Sequence, residues 1–99
     1  MDVMITIIVI MDAKPELRAQ VRSRLIELAS LTRRESGNVF YVLHESVADP
    51  NRFVIYERWK DQAALDFHMA QPYLKRFLDD GASQLQGPVN GTICRAVEW

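Results

Sequence analysis

Residues Val3 to Met11 read VMITIIVIM, nine positions with Thr6 as the only polar one. A helix crossing a bilayer needs about 20 apolar residues, so this run is too short. The acidic Asp2 also stands where a secretion signal carries basic residues. Rich in Ile and Val, and closed by the turn chemistry of Asp12 to Pro15, the run predicts a strand that is apolar on both of its faces.

Downstream, Pro15 suits the start of a helix, and Leu17, Val21, Leu25, Leu28 and Leu31 recur near the 3.6-residue period with arginines elsewhere on the wheel. Gly37 marks the end of that element. Val39 to Glu45 (VFYVLHE) and Phe53 to Trp59 (FVIYERW) are β-branched and aromatic, and Ala48 to Arg52 between them is turn-forming, so the two read as an antiparallel hairpin. Asp61 is placed to cap a short helix running through Met69, which Gln71 and Pro72 interrupt. A second helical piece starts at Tyr73 and runs to Leu78 or as far as Leu85, and Thr92 to Trp99 (TICRAVEW) reads as the last strand.

The order β-α-β-β-α-β is the ferredoxin-like arrangement, an α+β fold with a four-stranded antiparallel sheet and helices on one face. Ninety-nine residues suit one domain spanning 1–99. Helices on one face leave the other bare, and the apolar first strand sends half of its side chains there. So large an exposed patch predicts a homodimer formed through the open sheet face.

Hydrophobic residues make up 48% and charged ones 25% of the chain, which excludes disorder. Twelve basic against thirteen acidic residues leave no field to attract nucleic acid or an anionic membrane. The lone Cys94 cannot form an intramolecular disulfide, which fits a reducing cytoplasm. His44 and His68 offer two metal ligands at most, so no metal is expected, and no glycine-rich phosphate loop or Gly-x-Ser-x-Gly elbow is present.

Chemistry therefore concentrates in the middle of the chain. Period-two alternation puts Phe53, Ile55, Glu57 and Trp59 on one face of their strand. A carboxyl among such neighbours must find a donor or rise in pKa. His68, three residues after Leu65, shares the helix face that looks toward the sheet and is a candidate partner for it.

Glu57, Trp59, His68, Pro72 and Lys75, with Glu35-Gly37 and Tyr41 before them, give the chain a pattern that resembles the antibiotic biosynthesis monooxygenase family, quinol monooxygenases included. The resemblance covers nearly the whole chain. It implies a dimeric α+β barrel that oxidises a small aromatic substrate, a quinol or polycyclic phenol, with dioxygen and no cofactor. It further implies His68 and Glu57 as acid/base or orienting groups, with Glu57 holding the imidazole. Trp59, Tyr41, Phe40, Phe53, Phe67 and Phe77 are the candidate substrate-binding residues. Tyr41 and Tyr56 are alternatively placed to bond across the dimer. The haem-degrading branch of the family is not matched, for the first strand has no Asn and no His follows His68. An isomerase or lyase on the same fold remains an alternative, with Lys75 and Arg76 nearest to an anionic ligand, as does a ligand-binding dimer without turnover. Structural roles are open too: Glu57 and His68 can satisfy each other at the seam between helix and sheet, and Trp59 can plug the core.

Overall fold

The computed structural model describes residues 4–98. Four strands, β1 (Ile5–Asp12), β2 (Asn38–Glu45), β3 (Arg52–Trp59) and β4 (Asn90–Cys94), form one antiparallel sheet in the order β2-β3-β1-β4. Helix α1 (Arg18–Thr32) connects β1 to β2, and α2 (Gln62–Met69) with α3 (Pro72–Gly81) connects β3 to β4. This is the α+β ferredoxin-like arrangement expected from the sequence.

The apolar run becomes β1, an inner strand between β3 and β4. Val3 of the predicted strand and Trp99 at the chain end lie outside the described residues. Pro15 opens a single 3-10 turn, Pro15–Leu17, that leads into α1. The buried stripe of α1 is Val21, Leu25, Leu28, Ala29 and Thr32, so its last inward position is Thr32 and not Leu31. The helix stops there rather than at Gly37, because the amides of Arg34 and Glu35 reach carbonyls three residues back and tighten the chain into a turn. Asp61 accepts from the Ala64 amide as the cap of α2. The helical stretch after Pro72 runs on through a 3-10 turn, Ala82–Gln84.

One boundary needs correction. The last strand is Asn90–Cys94, and Arg95 to Glu98 are not in it. The ladder to β1 runs from Ile10 opposite Asn90 to Thr6 opposite Cys94, and β1 has little left to pair with residues beyond.

Register fixes which side chains meet. Trp59, Glu57, Ile55 and Phe53 stand opposite Ile5, Ile7, Val9 and Met11, and Tyr41 stands opposite Glu57 on the other flank. These face the helices and are mostly buried. The other face carries Ile8, Ile10, Val42, Val54, Tyr56 and Phe40, of which Ile8, Val42 and Tyr56 are exposed. No helix of the described residues is long and apolar enough to cross a membrane.

Candidate active site

Helices α2 and α3 roof the sheet without filling the space beneath. A cavity of about 550 Å³ lies there, floored by Ile7, Val9, Met11 and Ile55 and walled by Leu28, Leu65, Leu74 and Phe77. Met69, Leu78 and Ile93 line it and are also exposed, so they mark its mouth. Three buried polar side chains, Tyr41, Glu57 and His68, interrupt the otherwise apolar interior, with Gln62 and Asp66 as further lining groups. Among the described residues no Lys or Arg lines the cavity.

Glu57 is 4% exposed and accepts a 2.8 Å hydrogen bond from Trp59 Nε1, two residues along the same strand face. Burial raises the pKa of its carboxyl, and the Trp59 donor and the nearby His68 only partly oppose the rise. Tyr41 is directly opposite, and burial, with Glu57 as neighbour, holds its phenol well above the ordinary range. Tyr41 therefore stays protonated and available as a donor. Arg33 Nε donates to its backbone carbonyl at 2.9 Å and fixes the strand at this point.

The His68 ring packs against Trp59 with centroids 4.5 Å apart and planes tilted by 30°. Its carboxylate partner is Glu35, 2.8 Å from Nδ1, and not Glu57 as the sequence suggested. Glu57 spends its bond on the Trp59 indole instead. With Nδ1 engaged, the ring has Nε2 left to offer the cavity it lines. The same Glu35 oxygen, Oε2, accepts from the Tyr73 hydroxyl at the start of α3. Glu35 reaches both from the turn between α1 and β2, which docks closely onto α2. Gly37 in that turn lies so near Ala64 that an added Cβ would stand 2.3 Å from the Ala64 Cβ. The Lys60 amide also donates to the Gly37 carbonyl at 3.0 Å.

Of the remaining residues expected at the site, Phe77 lines the cavity, and Trp59 is fully buried behind His68 and Glu57. Phe40, Phe53 and Phe67 are elsewhere. Adjacent strand residues point to opposite faces, so with Tyr41 turned inward Phe40 must turn outward, where it stacks on Tyr56 at 5.0 Å. The inward turn also takes Tyr41 away from any contact across the open face. Phe53 is fully buried opposite Met11 at the other end of the sheet, with Arg18 over its ring. Phe67 is 59% exposed on the solvent side of α2. Lys75 and Arg76 are off the cavity, Arg76 lining a separate groove between α1 and α3. Among the described residues no three His, Cys, Asp or Glu side chains gather as a metal site requires. Glu35 belongs to the family pattern in the sequence, where nothing local signals its bond to His68.

An apolar hollow between helices and sheet, with a few convergent polar groups at one wall, is the architecture of a small-molecule site. Residues 4–80 match the family described as antibiotic biosynthesis monooxygenase, and the chain belongs to that family. It is 38% identical over 77 residues to the protein named "Putative monooxygenase YcnE" of Bacillus subtilis, covering 78% of this chain and 81% of that one. It is 32% identical over 80 residues to "Putative monooxygenase Rv0793" of Mycobacterium tuberculosis, covering 81% and 78%. The solved structure of Rv0793 superposes with a TM-score of 0.91 at 26% identity over 97% of both chains. PA3566 of Pseudomonas aeruginosa superposes at 0.89 with 28% identity, over 99% and 98%.

Proposed function

We propose that this protein is a cofactor-free monooxygenase that oxidises a quinol, or another phenolic or polycyclic aromatic small molecule, with dioxygen, and that it works in the cytoplasm as a homodimer. The observation that carries the reading is the apolar cavity of about 550 Å³ with His68, Glu57 and Tyr41 buried along it. The space suits a fused ring system, and the polar groups suit its hydroxyl.

The chemistry asks little of the protein beyond this. A phenol that gives up its proton becomes electron-rich enough to pass an electron to dioxygen, so binding the ring, holding the proton and excluding water suffice. In the proposed mechanism His68 Nε2 accepts the hydroxyl proton. Tyr41, which burial holds protonated, hydrogen-bonds the oxyanion that forms, and Glu57, whose carboxyl burial raises, lines the same wall. Trp59 backs the imidazole, and Phe77 and Leu74 cover the ring. One oxygen atom enters the substrate and the other leaves as water, with the substrate supplying the electrons. The exposed apolar residues of the open sheet face support the dimer, in which a second copy covers Ile8, Val42 and Tyr56. An anionic ligand, as a phosphate-directed isomerase would take, finds no Lys or Arg among the described residues that line the cavity.

The test is dioxygen uptake in an oxygen electrode with a panel of naphthohydroquinones and anthrone-like phenols. Uptake well above autoxidation is expected for at least one of them. Uptake at the autoxidation rate across the panel would overturn the oxygenase reading and leave isomerisation or simple binding.

A further inference from the structure

Glu35 has no place in the mechanism above, yet its setting is unlike that of an ordinary structural carboxylate. Its backbone is pinned in the turn, the amide donating to the Thr32 carbonyl at 3.0 Å and the carbonyl accepting from the Asn38 amide at 3.1 Å. Its side chain is 6% exposed. Both donors that reach it, His68 Nδ1 from α2 and the Tyr73 hydroxyl from α3, arrive at the single oxygen Oε2, whereas Oε1 is buried with no partner among the described residues. A buried carboxylate that serves only packing gains most by satisfying both oxygens, because each unmet acceptor costs about 1 to 3 kcal/mol. Here the bonding is gathered on the side that touches the imidazole.

We propose that Glu35 is the positioning residue of this site: it fixes His68 in the tautomer with the proton on Nδ1 and Nε2 open to the cavity, it is the counter-ion when Nε2 takes a proton, and Tyr73 moderates its strength. A carboxylate can only accept, so the Nδ1 side must carry the hydrogen. When Nε2 then accepts a substrate proton, the positive ring is left 2.8 Å from Glu35, and the proton needs no further carrier within that step. Tyr73 donates to the same oxygen and draws part of its charge away from the imidazole. Removing Glu35's charge should thus weaken His68 as a base, and removing the Tyr73 hydroxyl should strengthen it. The other titratable groups facing the ring are Tyr41 from β2 and Glu57 from β3, while Asp66 on α2 lines the same cavity.

The role given to Nε2 as a base rests on the proposed oxygenase reading, but the network can be tested without turnover. NMR titration of the imidazole resonances reads His68 directly, and a His44→Gln variant assigns the chain's only other histidine. In Glu35→Gln the His68 midpoint should fall, because a close opposite charge favours the protonated ring. In Tyr73→Phe, which keeps the charge and the ring, it should rise. The shifts should persist in a Glu57→Gln background, which removes the carboxyl on β3. An unchanged midpoint in Glu35→Gln, a fall in Tyr73→Phe, or loss of the shifts in that background would overturn the proposal. Should Glu35→Gln fail to fold, the direction of the Tyr73→Phe shift still decides. Where a substrate is oxidised, the acid limb of the pH-rate profile should move with the NMR midpoint in each variant. Absence of dioxygen uptake with the NMR shifts intact would sink the oxygenase reading alone, and uptake without the shifts would sink this one alone.

Discussion

The indole of Trp59 donates to Glu57 across the same strand face at 2.8 Å, so the hydrogen bond this buried carboxyl accepts among the described residues comes from a residue just two positions away. A single neutral donor does not repay burial, and the Glu57 carboxyl is raised in consequence. A carboxyl whose folded value lies above its unfolded one adds stability at low pH, and that contribution vanishes as pH climbs through the folded value. Glu57→Gln keeps an oxygen for the indole and removes the ionisation. Thermal melts should show the variant close to the parent near pH 4 and more stable than it at pH 8. Equal differences at both values would mean that folding does not raise the Glu57 carboxyl.

His68→Gln separates chemistry from packing. The glutamine amide can still donate to Glu35 and lie against Trp59, but it cannot take up a proton near neutrality. General-base assistance contributes about 10²- to 10⁴-fold, so oxidation of any accepted phenol should slow by that range with only a small change in melting temperature. A slowing of less than about tenfold would remove His68 from the proton step.

Gly37→Ala tests the docking of the α1–β2 turn onto α2. The new methyl would meet the Ala64 Cβ at 2.3 Å, and the obstacle is not the end of a flexible chain that can swing aside. Overpacking of this kind costs about 1 to 3 kcal/mol. Because the turn also carries Glu35, urea denaturation should show that loss together with a disturbed His68 resonance. A fully stable variant would show that the turn gives way.

The proposed dimer is tested by placing a charge at the centre of the open face. Ile8 stands between Tyr56 on β3 and Thr92 on β4, so an aspartate there has no opposing base among its register partners. Light scattering should report a dimer for the parent at micromolar concentration and a monomer for Ile8→Asp, with circular dichroism unchanged. A parent that is monomeric would remove the dimer from the proposal.

Much of this geometry was legible in the sequence, and the parts that were not share a cause. The apolar β1, the hairpin and the Asp61 cap follow from local chemistry, and strict alternation along β3 put Glu57 and Trp59 on one face. That adjacency made Glu57 look like the partner of His68. The actual partner lies 33 positions from the histidine and depends on where α1 stops, which in turn depends on the amides of Arg34 and Glu35 closing a tight turn. Phe40 was misplaced for a different reason: composition counts aromatic residues, whereas the inward turn of Tyr41 opposite Glu57 decides that its neighbour faces out. The extent of β4 was set by its partner strand rather than by its own β-branched residues.

Gly91 offers a way to close the cavity without unfolding the protein. It lines the cavity from β4, opposite Val9, and its backbone has no positive φ that a side chain would resist. A Cβ added there would meet Val9 Cγ2 at 3.9 Å and Ile7 Cγ2 at 4.0 Å, which is ordinary contact. A β-branched residue moreover suits a strand better than glycine does, both through its packing and through the smaller freedom of the unfolded chain, an effect of about 0.4 to 1 kcal/mol for the latter. Gly91→Ile should therefore melt at or above the temperature of the parent while its side chain occupies space on the cavity floor. Isothermal titration with a phenol accepted by the parent should then show binding weakened at least tenfold. If affinity were unchanged in a well-folded Gly91→Ile protein, the guest would have to sit somewhere other than beneath α2 and α3.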